Sequence, residues 1–366
     1  MLLSDRVMQM RPSGVRKIFD LAQKVKNPIN LSIGEPDFDI PDVVKDEGIK
    51  WIQKGFNKYT PSGGIPELRE KVLGHLRGKG IICEDAIITA GVTGGLLLAL
   101  MTTLNPGDEV IIPDPYFVLY EYQVLLLGGR PVFFDTYPDF TIREEELRRA
   151  ITDRTRVILI NSPNNPTGMV NSREELEMVA RVAREKDLLV FSDDIYDRFV
   201  FDEEEGEKPY LGKMYEKTLT FGGFSKTWGM TGWRLGYVAG PSEIIQCMIT
   251  MQQYAFSSVT SFAQKAALVA LDEGMDDMIA GYRKKRDLIY NGLKDKYNVV
   301  KPKGAFFIFP EIPGGNAMAF VERALENNLF IIPGSVFSAR DTHVRISFAA
   351  TEENLLKGID VLRRMA

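Results

Sequence analysis

A regular alternation of short apolar runs and longer helix-like stretches, from residue 85 to residue 240, most constrains the fold of this 366-residue chain. Each run is bounded by glycine, proline, asparagine or aspartate. The seven runs lie at residues 86–89, 109–112, 131–134, 157–160, 188–191, 219–221 and 234–239. This pattern predicts an α/β fold in which helices sandwich one mostly parallel, seven-stranded sheet.

The connection between the sixth and seventh runs is too short for a parallel crossover. It has room for a loop and one turn, whereas a crossover needs roughly a dozen residues or more, usually with a helix. We therefore predict that the last strand is antiparallel. Arg234, at the start of that strand, would then lie on the same sheet edge as Lys226, and the two charges would share a crevice.

The C-terminal part of the chain predicts a second, smaller domain. Strand-like GAFFIFP, LFIIP and HVRISFA alternate with helical patterns, and a closing helix follows a cap at Thr351. This mixture is typical of an α+β unit. A short amphipathic helix is also expected over residues 12–25. We assign residues 37–285 to a large domain, and residues 1–36 together with 286–366 to a small domain.

Charge and cysteine content limit the partners that we expect. The net charge of −5 gives no basic footprint for nucleic acid or for an anionic membrane surface. No apolar run approaches the roughly 18 residues of a membrane span. Cys83 and Cys247 lie far apart and match no metal-ligand spacing. We therefore expect a cytoplasmic protein without a metal site or structural disulfides.

The stretch 221–237, FGGFSKTWGMTGWRLGY, places a lysine and an arginine among apolar residues. Lys226 lacks the acidic neighbours of a typical surface lysine, and Trp228 and Trp233 lie close by in the sequence. A lysine in an apolar pocket loses proton affinity and becomes a nucleophilic amine that can form an imine. The alternative is an ordinary surface charge, which describes most of the 45 lysines and arginines.

Polar residues follow the predicted strands at the edge where open α/β sheets bind ligands. The glycine-rich AGVTGG follows the first run, and its free backbone amides suit a phosphate. DPYF, NSPNNPTG, SDDIYDRF and Ser225-Lys226 follow the second, fourth, fifth and sixth runs. Each motif alone could be structural, as a tight turn, a core aromatic or a helix cap. Together they assemble a phosphate cradle, an aromatic face, an amide, an acid, a phenol and two cations.

Pyridoxal 5′-phosphate requires these groups. Its aldehyde needs a lysine amine, its ring nitrogen needs a carboxylate, and its phosphate needs backbone amides and a cation. We choose Asp193 over Asp194 as the partner of the ring nitrogen, because Tyr196 stands three residues on and can share its site. Neither acid has a basic neighbour in the sequence.

Seven motifs, in order and nearly end to end, carry a family resemblance. They are LSIGEPDF, YTPSGGIPELRE, NSPNNPTG, SDDIYD, GFSKTWGMTGWRLGY, KPKGAFFIFP and VRISFA. With them the chain resembles the class I aminotransferases of the fold type I pyridoxal-phosphate enzymes, in the branch of prokaryotic and archaeal aspartate and aromatic amino acid aminotransferases. The resemblance implies a homodimer that moves an amino group from an α-amino acid, aspartate or aromatic, to a 2-oxo acid such as 2-oxoglutarate by a ping-pong mechanism.

The resemblance also implies roles for single residues around the cofactor. Lys226 would be the catalytic residue, which binds the cofactor aldehyde and then moves the substrate proton. Asp193 would pair with the ring nitrogen, Tyr196 and Asn165 would bond the 3-oxygen, and Phe117 would stack on the ring. The phosphate would be held by Val92, Thr93, Ser225 and Arg234, and by Tyr59 reaching across from the partner subunit.

The substrate carboxylate has a predicted site as well. By resemblance Arg345 would clamp the α-carboxylate as a bidentate pair, helped by Asn165 and the backbone of Gly34. The alternative is a solvent-facing strand residue, since Val344 and Ile346 alternate onto the other face.

Three positions depart from the family pattern. Gly223 stands where many relatives have a hydroxyl residue, so that one phosphate contact would be missing or supplied by Thr93. Asp194 stands where glutamate is common. Tyr120 stands where some relatives have a histidine that supports the aspartate.

Two alternative functions remain open at this point. A pyridoxal-phosphate β-lyase or decarboxylase could use the same scaffold, because fold does not fix chemistry. A nucleotide-dependent oxidoreductase could use AGVTGG, but the G-x-G-x-x-G fingerprint is missing, and Lys226, Asp193 and Arg345 would have no joint role.

Overall fold

The computed structural model describes residues 2–8, 10, 14, 18, 22, 23, 25–201 and 208–366. The helix expected over residues 12–25 falls largely outside the described residues. No helix in the described part of the chain is long and apolar enough to cross a membrane.

Short strands form three sheets. In chain order the strands are β1 Ile29–Asn30, β2 Asp85–Thr89, β3 Glu109–Asp114, β4 Arg130–Asp135, β5 Thr155–Asn161, β6 Leu189–Asp193, β7 Thr218–Gly223, β8 Gly236–Gly240, β9 Phe307–Ile308, β10 Leu329–Phe330, β11 Ile332–Pro333 and β12 Val344–Ser347.

Helices separate most of these strands. In chain order the α-helices are α1 Asp5–Met8, α2 Asp42–Gln53, α3 Pro66–Gly78, α4 Gly91–Thr103, α5 Leu119–Leu126, α6 Glu144–Ala150, α7 Arg173–Glu185, α8 Ser242–Ala255, α9 Ser261–Ala270, α10 Asp276–Leu293, α11 Ala317–Glu326 and α12 Glu352–Met365.

The central sheet has seven strands in the order β2-β8-β7-β6-β5-β3-β4. Strands β3 to β7 pair in parallel, whereas β8 is antiparallel to both of its neighbours, β2 and β7. This confirms the predicted α/β sheet and its reversed last strand. The carboxyl ends of β2 to β7 therefore meet the start of β8 at one edge.

The predicted start of the last strand was wrong by two residues. Strand β8 begins at Gly236, and Arg234 ends a 3-10 turn at Thr231–Trp233. The backbone of Arg234 is left-handed, with φ 54° and ψ 52°. A non-glycine residue rarely adopts this conformation, which cannot continue an extended strand. Arg234 thus belongs to the loop that reverses the chain at the sheet edge.

Alternating side chains on β5 bury both faces of the central sheet. Val157 and Leu159 pack into the apolar cluster that contains Leu98 of α4. Ile158 and Ile160 pack into a second cluster, which contains the apolar face of α7. This two-residue period explains why the strand reads as a continuous apolar run, because a parallel sheet covered by helices has no solvent-facing side.

The C-terminal strands form a small antiparallel sheet that packs beside the central one. Its order is β11-β12-β9, with Arg345 opposite Ile332. A second pairing joins β1 in parallel to β10, which brings the N-terminal segment to the same region. The strand-like and helical segments predicted here are present, whereas the proposed domain boundaries stay a prediction.

The pairing of β7 with β8 gives a stability prediction at Gly222. This residue lies opposite Tyr237, and a Cβ atom at 222 would overlap the tyrosine ring. We expect Gly222→Ala to lower the free energy of unfolding by about 1–3 kcal/mol, because an overpacked core must shift. Urea denaturation measures this change.

Gly74→Ala is the matched control. Gly74 is exposed in α3, and no heavy atom of the described residues lies within 4 Å of an added Cβ. Alanine there should raise the free energy of unfolding by roughly 0.5–1 kcal/mol through helix propensity. Equal stability of Gly222→Ala and the parent protein would contradict the packing described at β7.

Candidate active site

A cavity of about 250 Å³ opens at the sheet edge where β2 and β5 to β7 end and β8 approaches. Every site residue predicted from the sequence lines it, except Tyr59. The lining residues are Gly34, Val92, Thr93, Leu96, Phe117, Leu119, Tyr120, Asn161, Asn165, Asp193, Ile195, Tyr196, Ser225, Lys226, Thr231, Arg234 and Arg345. The strand-end rule therefore located the cavity correctly, because these elements share one edge.

Lys226 lies in the loop after β7, with its amine directed into the cavity. Its Nζ donates a hydrogen bond to the carbonyl oxygen of Gly34 at 2.6 Å. Burial lowers the pKa of Lys226 to about 8; the Glu35 carboxylate opposes this shift, and Arg234 and Arg345 reinforce it. A larger fraction of the amine is thus neutral near physiological pH than in an exposed lysine, which favours attack on a carbonyl carbon.

Asp193, the last residue of β6, supplies a buried carboxylate that is 4% exposed. Burial raises the pKa of Asp193 to about 6, whereas hydrogen bonds from Tyr120 and from the backbone of Ile195 stabilise the charged form. The hydroxyl of Tyr120 donates to Asp193 Oδ2 at 2.8 Å, and Ile195 N donates to Oδ1 at 3.2 Å. The acid therefore stays largely ionised at neutral pH, although it is removed from water.

Asp194 points to a different environment from its neighbour. Its Oδ1 accepts from Lys208 Nζ at 2.7 Å, and its Oδ2 accepts from the Ser192 hydroxyl at 3.0 Å. Asp194 is not among the cavity residues, whereas Asp193 is. The geometry thus agrees with the choice of Asp193 as the acid that faces a ligand.

Two asparagines fix the loop that follows β5. Asn161 Nδ2 donates to the carbonyl oxygen of Asp193 at 2.9 Å, and Asn161 Oδ1 accepts from Asn165 N at 2.9 Å. Asn165 is 4% exposed and uses its side-chain oxygen to accept from Arg345. Tyr196, 5% exposed, also lines the cavity, and burial raises its pKa.

The start of α4 and Arg234 form a second polar corner of the cavity. Gly91 has φ 69°, and a Cβ there would lie 2.7 Å from Arg234 Nη2. A Cβ on Gly236 would lie 2.8 Å from Val92 N. Both glycines therefore let the guanidinium and the helix N-terminus approach one another closely. Free amides beside a guanidinium suit an anion such as a phosphate.

Gly223, which stands where the family pattern has a hydroxyl residue, lies against the backbone of β8 and the residue before it. A Cβ on Gly223 would lie 3.1 Å from Gly236 Cα and 3.2 Å from Leu235 O. The β7–β8 pairing therefore leaves little room for a larger side chain. Thr93 and Ser225 both line the cavity, so hydroxyl groups remain available to an anion there.

Arg345 of β12 is almost completely buried, at 1% exposure. Its Nη1 donates to Asn165 Oδ1 at 3.0 Å and its Nη2 donates to Ser32 O at 2.6 Å. The aromatic rings of Phe307 and Phe337 lie 4.6 Å and 4.8 Å from the guanidinium carbon. The solvent-facing alternative for Arg345 is therefore wrong, because both faces of β12 are covered.

The charge of Arg345 persists despite its burial. Burial lowers its pKa to about 10, which still leaves it protonated at neutral pH. Its buried Nε has no hydrogen-bond partner among the described residues. A buried guanidinium with an unpaired N–H costs free energy unless an acceptor binds it, so that the site favours a carboxylate.

Two further site residues were predicted, Phe117 and Tyr59, and only Phe117 lines the cavity. Phe117 is half-buried at the cavity wall, where its ring meets the ring of Tyr120 edge to face at 5.8 Å. Tyr59 is 89% exposed and is not a lining residue within this chain. Its predicted role requires a second subunit.

Sequence reasoning missed several contributors. Tyr120 was noted as a departure, but its hydrogen bond to Asp193 depends on how the fold brings Tyr120 of α5 to the end of β6. The Ser32 carbonyl and the Asn161 side chain had no separate motif signal. Lys208, the base that pairs with Asp194, lies 14 residues along the chain and only the fold brings it close.

Comparison with known proteins places these features in a family. The model of the family "Aminotransferase class I and II" matches residues 26–362. An aromatic-amino-acid aminotransferase 2 from Thermococcus litoralis is 40% identical over 100% of this chain and 98% of its own length. An aspartate aminotransferase from Pyrococcus abyssi is also 40% identical, with the same coverage.

A solved structure agrees with these sequence relatives. The structure of Thermus thermophilus aspartate aminotransferase with maleate has a TM-score of 0.95 and 37% sequence identity, and the match covers 100% of both chains. The resemblance stated from the motifs is confirmed by the family model, the relatives and the fold. The chain belongs to the class I and II aminotransferases and is an enzyme that transfers amino groups.

Proposed function

We propose that this enzyme uses pyridoxal 5′-phosphate to move the amino group of aspartate or of an aromatic amino acid to a 2-oxo acid such as 2-oxoglutarate. The observation that carries the proposal is the convergence of Lys226, Asp193 and Arg345 on one cavity. An amine, an acid and a carboxylate-binding cation are the three charged groups that this chemistry demands.

The residues present fit the cofactor. Asp193 is a buried carboxylate held ionised by two donors, which suits a protonated ring nitrogen. The corner formed by Gly91, Val92 and Arg234 is closed to side chains at positions 91 and 236, but open to an anion. Lys226, in the loop after β7, lines the same cavity as these two features. When bound, the cofactor would supply an electron sink for the bonds at the substrate α-carbon.

Lys226 would act on the proton of the substrate α-carbon. A group that takes up and returns a proton works best with a pKa near the operating pH. Burial brings the pKa of Lys226 to about 8, which meets this requirement. The Gly34 carbonyl, which accepts from the amine at 2.6 Å, would orient the lone pair of Lys226 in the free protein.

Arg345 would bind the substrate α-carboxylate and so fix which bond of the α-carbon faces Lys226. The rings of Phe307 and Phe337 exclude water from the guanidinium, which strengthens its attraction for a carboxylate. Asn165, which already accepts from Arg345, offers its amide group at the same place. This arrangement supports recognition of an α-amino acid or a 2-oxo acid, both of which carry that carboxylate.

The two candidate amino donors, aspartate and an aromatic amino acid, are those for which the relatives are named. The Thermococcus litoralis relative is named for aromatic amino acids and the Pyrococcus abyssi relative for aspartate. Both are 40% identical to this chain, so that identity alone does not favour one donor over the other.

A homodimer is part of the proposal. Tyr59 is 89% exposed, and within its own chain it has no place in the cavity. We infer that it reaches the phosphate in the site of the partner subunit. We also assign the protein to the cytoplasm, since Cys83 and Cys247 are both free thiols, as expected in a reducing compartment.

A coupled assay tests the proposed function. The protein with pyridoxal phosphate, an amino donor and 2-oxoglutarate should form glutamate, with aspartate, phenylalanine or tyrosine as donor. Lys226→Ala should lower this rate by at least roughly a hundredfold, because it removes the acid/base group. Lys294→Ala, at an exposed lysine, is the control and should keep the parent rate.

The products separate this function from its alternatives. Release of pyruvate or carbon dioxide from the donor, with no glutamate formed, would replace transamination with elimination or decarboxylation. A protein that binds no pyridoxal phosphate at all would contradict the whole proposal.

The hydrogen bond between Tyr120 and Asp193 predicts a pH effect. The ionised carboxylate persists above its pKa of about 6 and is lost as the pH falls through that value. Tyr120→Phe removes a donor to the charged form, so that the pKa of Asp193 rises further. As the pH falls, this variant should therefore lose the cofactor at a higher pH than the parent protein does, and its affinity for the cofactor at pH 6 should be roughly tenfold lower.

Tyr215→Phe is the control for loss of a buried tyrosine hydroxyl. Tyr215 is 1% exposed, and its hydroxyl donates to Leu188 O at 2.9 Å, outside the cavity. Equilibrium dialysis of the cofactor between pH 5 and pH 9 gives the comparison. If cofactor binding by Tyr120→Phe falls at the same acidic pH as in the parent protein, the Tyr120 hydroxyl does not stabilise the charged form of Asp193.

A further inference from the structure

Two lysine–aspartate ion pairs lie behind the turn that carries the cofactor-facing acid. Lys208 Nζ is 2.7 Å from Asp194 Oδ1, and their side chains are 4% and 6% exposed. Lys79 Nζ is 2.6 Å from Asp197 Oδ2, and both side chains are 15% exposed. These four residues are not cavity-lining residues.

One tyrosine ring joins the two pairs. Lys208 Nζ lies 3.9 Å and Lys79 Nζ 5.5 Å from the ring centre of Tyr210. The hydroxyl of Tyr210 donates to Asp197 Oδ2 at 3.4 Å. The two ammonium groups and the two carboxylates thus form one connected cluster.

Such a cluster is costly to bury. Two charges removed from water recover their desolvation penalty only with close geometry and further hydrogen bonds, and a hydrophobic replacement is often as stable. Stability alone therefore gives a weak reason for Lys208 and Asp194. The reason that we infer lies in what the cluster holds in place.

The cluster anchors the turn between the two ligand-facing residues, Asp193 and Tyr196. Asp194 and Asp197 lie three positions apart in the same turn, and neither lines the cavity. The backbone joins them, because Asp197 N donates to Asp194 O at 2.9 Å. Asp194 N donates to Phe221 O at 2.9 Å, which ties the turn to β7, the strand before Lys226.

Electrostatics adds a second link to the site. The charge of Asp194 adds to burial in raising the pKa of Asp193. Burial also raises the pKa of Asp194, and Lys208 is the main opposing influence. Lys208 thereby offsets a negative charge that stands one residue from the ligand-facing acid. The other titratable groups around the carboxylates of Asp193, Asp194 and Asp197 are Tyr120, Tyr196, Lys226, Tyr237, Lys79 and His75.

We propose that Lys208 is a positioning residue, which by pairing with Asp194 on the far side of the turn fixes Asp193 and Tyr196 for the cofactor. This inference rests on the proposed use of pyridoxal phosphate. Without Lys208, the buried Asp194 carboxylate must take up a proton or turn toward water, and either change moves or recharges the segment that carries Asp193.

The test compares Lys208→Met, Asp194→Asn and the double variant Asp194→Asn/Lys208→Met. Lys208→Met should weaken pyridoxal phosphate binding by about tenfold, the scale on which partners of ligating residues act in metal sites. It should also shift the pH midpoint of the visible absorption of the bound cofactor. The double variant leaves no buried charge unpaired and should recover binding to within about threefold of the parent protein.

Arg69→Met is the matched control for loss of stability. Arg69 pairs with Asp85 at 2.6 Å at the start of β2, the end of the strand away from the cavity. This variant should lower the melting temperature, but leave cofactor affinity and the absorption midpoint unchanged.

The outcomes separate this inference from the proposed function. A parent protein that binds no pyridoxal phosphate contradicts both. Parent-like affinity and absorption in Lys208→Met contradict only the positioning role. A double variant that binds no better than Lys208→Met also overturns it, because the proposal attributes the lost binding to the unpaired Asp194 carboxylate, which the double variant lacks. If Lys208→Met does not fold, the double variant and Asp194→Asn still decide between the outcomes. Asp194→Asn leaves the buried Lys208 ammonium unpaired, so the inference requires the double variant to bind the cofactor better than Asp194→Asn does.

Discussion

Desolvation of charge at one sheet edge is the constraint on which the site depends. Asp193 and Arg345 are 4% and 1% exposed, and the amine of Lys226 loses proton affinity through burial. The charges of Asp193 and Arg345 persist because specific partners compensate for the lost water: Tyr120 for Asp193, and Asn165 and the Ser32 carbonyl for Arg345. The buried Nε of Arg345 is a donor of this network that has no hydrogen-bond partner among the described residues.

The topology of the central sheet brings these charged groups to one edge. Parallel strands deliver Asn161 and Asp193 to one edge as the last residues of β5 and β6, and the short reversal into β8 keeps Arg234 beside the same edge. Glycines at 91 and 236 then let backbone and guanidinium meet without side chains between them. The small sheet adds Arg345 from the other side, through its own strand register.

Local patterns predicted the parts that depend on sequence neighbours. Alternating apolar runs gave the seven strands, the short connection gave the reversed strand, and the strand-end rule gave the cavity. Contacts between distant segments could not be predicted in the same way. The bond from Tyr120 to Asp193 spans 73 positions and the bond from Arg345 to Ser32 spans 313, and no local pattern encodes either. The start of β8 was missed because the left-handed backbone of Arg234 has no signature in its residue type.

The central claim is that Lys226, among all lysines of the chain, is the amine that binds the cofactor aldehyde. Borohydride reduction of the protein with pyridoxal phosphate, followed by peptide mass spectrometry, tests this claim at single-residue resolution. The account predicts one dominant modified peptide, with the added mass on Lys226. Dominant modification of another lysine, or an unmodified Lys226 in protein that retains the cofactor, would contradict it.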